Sequence, residues 1–150
     1  MNQSNNNCVM CQRTALILQG DGHPFLIHEF QHTVSVVGDN QFFRGYSLLL
    51  LKNHVRELHE LEPEVQSDLF AELMIAGRAI ADAFKPWKMN YSCYGNVVPH
   101  IHWHLFPRYD SHPDREKVPW FHADEFEKHL IDESAAQNLA AEIRAKLILS

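Results

Sequence analysis

Residues 99–108 read PHIHWHLFPR, with His100, His102 and His104 at alternate positions and Ile101, Trp103 and Leu105 between them. Alternation with a period of two belongs to a β-strand, whose successive side chains point to opposite faces. A strand over 100–106 stands the three imidazoles in one row, about 6.6 Å apart at their Cα atoms for a rise of roughly 3.3 Å per residue. Ile101, Trp103 and Leu105 then turn to the core. One His-x-His pair would carry little information, but a row of three is costly to bury unless each imidazole has a partner.

The segments on either side supply the rest of a sheet. Residues 87–94 predict a strand, and Gly95, Asn96, Val97 and Val98 predict the turn that joins it to the histidine strand. Before it, Val65, Leu69, Leu73, Ala76, Ile80 and Phe84 recur at steps of three and four, which predicts one long helix with a single buried stripe. Pro63 suits its first turn, Glu62 and Glu64 its positive end, and Pro86 its stop. Residues 14–19, 25–30, 33–37 and 46–51 are short apolar or β-branched runs and predict four further strands, the last two forming a hairpin. Turn-forming residues 20–24 and 38–40 separate them. Downstream, residues 107–121 predict an ordered loop or a subunit arm. Ala135, Leu139, Ile143 and Leu147 predict an amphipathic C-terminal helix with Glu142 and Arg144 outward. Strands, helix, strands and helix together imply an α+β fold with a mostly antiparallel sheet.

Composition sets the frame for this chemistry. A chain of 150 residues that is 45% hydrophobic and 21% charged is expected to fold as a single soluble domain over residues 8–150, after an Asn-rich, disordered leader at 1–7. Its net charge of −6 argues against a nucleic-acid partner, since duplex binding needs many cations, and any phosphate must be held locally. The start carries no signal-peptide pattern, and the longest apolar run, residues 47–51, is far too short to span a bilayer. The expected location is the cytoplasm, without a membrane partner. Three cysteines in a reducing compartment are poor disulfide material, so the CxxC of Cys8 and Cys11 suggests metal or redox chemistry, or simply two buried thiols.

Two chemistries could use the histidine row. In one, the imidazoles hold a catalytic zinc that activates water. In the other, one imidazole is a nucleophile toward phosphorus while its neighbours handle the leaving group and the phosphate oxygens. Neutral imidazole suits the second role near neutral pH, because its lone pair is available without a separate base. The turn at 95–98 favours that reading, offering free backbone N–H groups and the Asn96 amide as a phosphate cradle. Arg108 could add a cation there or make a structural salt bridge.

At this point the segment resembles the histidine triad (HIT) family, whose signature His-φ-His-φ-His-φ-φ, with φ apolar, is matched in full by residues 100–106. The likeness extends upstream through Asp39 after a strand, through Lys52, Asn53 and His54 after another, and through the long helix. It implies a five-stranded antiparallel sheet with a long helix, a homodimer, and cleavage at the α-phosphate of dinucleoside polyphosphates or nucleoside phosphoramidates. By that resemblance His102 is the nucleophile that forms a nucleotidyl-histidine, His100 orients it or completes its hydrogen-bond chain, and His104 contacts the phosphate and leaving-group side. Asn96 stands beside the α-phosphate, Asn90 takes the upstream amide position, and Asp39 takes that of the ribose-binding acid. Two positions depart from the family. Val97 replaces a Ser or Thr, leaving only its backbone N–H for phosphate, and Gly45-Tyr46 replaces the usual Gly-His.

The resemblance also gives the CxxC a partner set. Some triad proteins bind structural zinc through such a motif, a histidine before the helix and the first triad histidine, here Cys8, Cys11, His54 and His100. No cofactor is expected to be required for catalysis. A zinc hydrolase using the triad as ligands, and a non-catalytic nucleotide-binding module, are the alternative functions. His23, His28, His32, His59, His112, His122 and His129 share no spacing and are expected to be surface or satisfied histidines. Phe42, Phe43, Trp120 and Phe121 could stack on a base, with core or dimer packing as the more ordinary role.

Overall fold

The computed structural model describes residues 5–20, 22–112 and 114–149. Five strands form one antiparallel sheet in the order β1-β2-β3-β5-β4, where β1 is Leu26–Glu29, β2 Thr33–Val37, β3 Ser47–Leu51, β4 Lys88–Ser92 and β5 His102–Arg108. β2 and β3 are buried along their whole length, as expected where both faces of a sheet are covered. One face carries Val37, Leu49 and Leu105 and packs against the long helix and the C-terminal helix. The opposite face carries Val34, Val36, Leu48, Leu50 and Phe106 and is covered by Ile17 and Phe43. His102 and His104 alternate with Leu105 along β5, so they share this second face with Phe106.

The predicted long helix spans Pro63–Phe84, called α2 once the N-terminal helix is counted, with Pro63 at its first turn. It ends where Lys85 adopts a left-handed conformation (φ 49°) and donates its N–H to Ala81 O, ahead of Pro86. Leu69, Leu73, Ala76 and Ile80 are buried as the periodicity requires. The buried Glu72 reaches across to β2, accepting from His32 N (2.9 Å) and Thr33 Oγ1 (2.6 Å). The C-terminal helix, Glu133–Arg144, is capped by Asp132, whose carboxylate accepts from Ala135 N. Glu142 and Arg144 face outward, as expected, bonding Arg44 and the Ile27 carbonyl respectively.

Three expectations are corrected. Residues 14–19 are not a strand: Val9–Ile17 form a helix, α1, because Cys11, Thr14 and Ile17 are buried at steps of three while Leu16 is exposed. An apolar run this short does not separate strand from helix by itself. The histidine strand begins at His102 and runs on to Arg108, leaving His100 and Ile101 ahead of it, tied by Ile101 N–H to Val55 O. Arg108 does not line the cleft between the 94–98 turn and the start of β5, and makes no salt bridge among the described residues. It is buried over the Phe43 ring and donates to Asn90 Oδ1, Lys117 O and Asp114 O. These bonds hold the 107–121 segment against its own chain, with a 3-10 turn at Pro119–His122 followed by the short helix Ala123–Phe126.

Of the expected leader, residues 1–4 lie outside the described residues; at its end, the Asn5 carbonyl accepts from Cys8 N. Part of the 20–24 turn, Asp21, lies outside them too. Among the described residues no helix is long and apolar enough to cross a membrane.

Candidate active site and metal corner

The start of β5, the 94–98 turn and the 118–120 segment enclose a cleft of about 530 Å³, lined by His102, His104, Asn96, Val97, Tyr94 and Trp120 among others. Gly95 opens the turn with φ 71°, a conformation that costs glycine little. The N–H groups of Asn96, Val97 and Val98 make no hydrogen bond to described residues, which leaves them available at the cleft. Met10 reaches the same cleft from α1, and Val118 completes its apolar rim.

Each triad histidine is held by a different partner. His102 places Nδ1 2.6 Å from the His100 carbonyl. A carbonyl only accepts, so Nδ1 carries the proton and Nε2 keeps its lone pair, on a ring that lines the cleft. His104 lies with its ring centroid 5.1 Å from that of His102, and its Nδ1 is 2.7 Å from the Tyr46 hydroxyl. Burial, helped by the neighbouring His102, lowers the His104 pKa to about 4. Trp120 packs its ring edge to face on His104, centroids 4.9 Å apart.

His100 faces the other way. Its Nε2 donates to Leu51 O at 2.7 Å, which leaves Nδ1 as the lone pair, 3.5 Å from both Cys8 Sγ and Cys11 Sγ. His54 Nδ1 is also 3.5 Å from Cys11 Sγ. The four ligand atoms of Cys8, Cys11, His54 and His100 all lie within 4.8 Å of one another. A tetrahedral zinc with Zn–S of about 2.3 Å and Zn–N of about 2.0–2.1 Å requires S···N edges of about 3.5 Å. The donor chemistry and spacing therefore fit zinc, and the Leu51 carbonyl is the outer partner that fixes a ligating imidazole. Burial raises the Cys11 thiol and lowers His100, both away from the charged form.

The sites expected from sequence thus divide. His102, His104, Asn96 and Val97 meet at the cleft, and Cys8, Cys11, His54 and His100 meet behind it. The three triad rings do not converge on a common metal: among the described residues the one such cluster is the cysteine-histidine set. Asp39 and Asn90 do not line the cleft. The Asp39 carboxylate is held by Arg13 through two hydrogen bonds, and Asn90 Oδ1 accepts from Arg108. Phe43 is core, Trp120 lines the cleft, and Phe121 is exposed. Met10, Tyr94 and Val118 were not legible as lining residues, because only the fold brings these three separate segments together. His32 bonds Asp68, and His112 and His122 pack around Phe42.

The HIT domain profile matches residues 20–111, well over half of the chain. The chain belongs to the HIT family. It is 27% identical to the HIT protein named "Protein hit" of Bacillus subtilis over 149 residues, 96% of this chain and 97% of that one. It is 27% identical over 108 residues to adenylylsulfatase HINT3 of Arabidopsis thaliana, covering 69% of this chain and 53% of HINT3. A Zn-bound histidine triad family protein from Mycobacterium smegmatis shares the HIT fold at a TM-score of 0.64, with 22% identity over 93% of this chain and 92% of that one.

Proposed function

We propose that this HIT protein hydrolyses or transfers nucleotidyl groups at the α-phosphate, through a covalent nucleotidyl-His102. The observation that carries the reading is the His102 Nδ1 to His100 carbonyl bond, which reserves the Nε2 lone pair for the cleft. Nε2 attacks the α-phosphorus, and the P–O or P–N bond to the leaving group breaks, its electron pair departing with that group. The ring becomes cationic, and the hydrogen bond from Nδ1–H to the carbonyl stabilises that charge. Water then attacks phosphorus, the N–P bond returns its pair to Nε2, and the proton the water loses balances the one the leaving group takes. An alcohol in place of water gives transfer.

The Asn96 amide and the unbonded N–H groups of Val97 and Val98 are positioned to take the phosphate oxygens, a neutral cradle suited to a chain of net charge −6. A ribose contact by Asp39 would require its pair with Arg13 to open. Zinc held by Cys8, Cys11, His54 and His100 is structural in this reading, supplying a fixed corner that orients the His100 carbonyl toward His102. A homodimer would cover the open edge of β4 and the exposed Trp87 and Tyr91 along it, which light scattering checks. The protein would work in the cytoplasm, with no membrane or nucleic-acid partner.

The test is a panel of dinucleoside polyphosphates, nucleoside phosphoramidates and, prompted by the HINT3 relative, adenylyl sulfate, with the adduct trapped by acid quench and mapped by mass spectrometry. A nucleotidyl group on His102 is expected. An adduct on another residue, or nucleotide binding without turnover across the panel, overturns the mechanism. So does turnover lost to a chelator and restored by zinc with no change in folding, which would favour catalytic zinc.

A further inference from the structure

We infer that Tyr46 is a positioning residue that donates its hydroxyl to His104 Nδ1, holding His104 as the Nε2–H tautomer so that it presents a hydrogen-bond donor to the cleft beside the lone pair of His102. The functional part of this inference rests on the nucleotidyl-His102 reading; the tautomer itself does not.

Tyr46 is built into place from several sides. Its N–H donates to Phe43 O, and its carbonyl accepts from Gly38 N and Gln41 Nε2, which anchors the backbone at the entrance to β3. Gly38 leaves room for the ring, since a Cβ there would fall 2.3 Å from the Tyr46 ring carbon Cδ1. The ring lies flat on Phe106, centroids 4.3 Å apart and planes 4° from parallel. Its plane is 8° from that of His104, so the hydroxyl meets the in-plane lone pair of Nδ1 at 2.7 Å.

The direction of the bond follows from counting donors. Tyr46 is only 6% exposed, and burial raises its pKa, so it keeps its proton. Among the described residues His104 is the hydroxyl's one hydrogen-bond partner. Were Nδ1–H the donor, the buried phenolic O–H would have no acceptor, a cost that donation to Nδ1 avoids. With Nδ1 accepting, neutral His104 carries its proton on Nε2. The cleft then holds one imidazole that attacks and one that donates to a phosphoryl or leaving-group oxygen, and the two cannot exchange roles without breaking a buried bond.

The assignment is read directly in the wild-type protein by long-range 1H–15N NMR of 15N-labelled histidines near neutral pH. The expected pattern is Nε2–H for His104 and Nδ1–H for His102. Tyr46→Phe, which keeps the ring, is expected to release the His104 tautomer and to lower kcat about tenfold, the scale of one hydrogen bond, while KM moves little. Tyr46→His, a smaller ring able to present an N–H, is expected to restore part of kcat. A wild-type His104 carrying Nδ1–H, or a Tyr46→Phe protein with unchanged tautomer and kcat, overturns the inference. If wild-type protein turns over none of the nucleotide panel, the catalytic reading falls, and the NMR pattern still decides the role of Tyr46.

Discussion

His100 and His104 are the same side chain four residues apart, yet one belongs to a cysteine-histidine corner with the spacing of a zinc site and the other to a cleft. The difference lies in what the second ring nitrogen touches. Leu51 O takes the Nε2 proton of His100 and turns its Nδ1 lone pair to two thiols, while the Tyr46 hydroxyl occupies Nδ1 of His104 and leaves Nε2 for the cleft. His102 lies between them, its Nδ1 bonded to the backbone carbonyl of His100, so the corner and the cleft are one peptide group apart. An imidazole has no fixed role; its neighbours select the tautomer, and the tautomer selects the chemistry.

The sharpest way to break this division is His102→Ala, which is expected to lower turnover at least about a thousandfold with the fold intact by circular dichroism. Equal activity would remove His102 from the chemistry. Cys8→Ser is the opposite probe. It is expected to abolish stoichiometric zinc in metal analysis and to lower Tm by about 10 °C, from a loss of a few kcal/mol at roughly 2–4 °C per kcal/mol. A variant that keeps its zinc and its Tm would dissolve the metal corner.

A pH series separates the two regions more finely. His104 titrates near 6.5 in the unfolded chain but at about 4 when folded, because burial penalises its charged form. The unfolded chain therefore takes up this proton first as pH falls, and the stability His104 contributes is full above 6.5 and lost on the way to 4. Urea midpoints should fall across that window and fall less steeply in His104→Gln; identical slopes would deny the shift. The smallest effect is expected for Asp39→Asn. Breaking its exposed pair with Arg13 should cost less than about 1 kcal/mol and leave KM in place, whereas a large rise in KM would bring Asp39 to the ribose.

Long periodic segments were the most legible. The α2 stripe from Leu69 to Ile80 follows from residue spacing, because burial on one face repeats at the helical period, and the strand Thr33–Val37, buried on both faces, follows from its β-branched run. Residues 14–19 misled, since Leu16, Ile17 and Leu18 are apolar in succession and only the packing of Ile17 against β2 and β3 distinguishes helix from strand. Arg108 misled for a similar reason. Its charge suggested an anion, yet its acceptors are an amide and two carbonyls from a segment that the sequence leaves without a periodic pattern.

By itself the sequence determined that His100, His102 and His104 belong to one motif, that Cys8 and Cys11 sit at metal-ligand spacing, and that a Gly-opened turn precedes them, because each is local and follows from side-chain period and turn chemistry. The family resemblance named His100 for the thiols and His102 for the chemistry, but only the tertiary structure supplied the partners that turn each ring and the hydroxyl that holds the third. Those choices are made by Leu51, the His100 carbonyl and Tyr46, and the two partners at the ends of β3 lie 49 and 58 residues away in the chain, where no local pattern can register them.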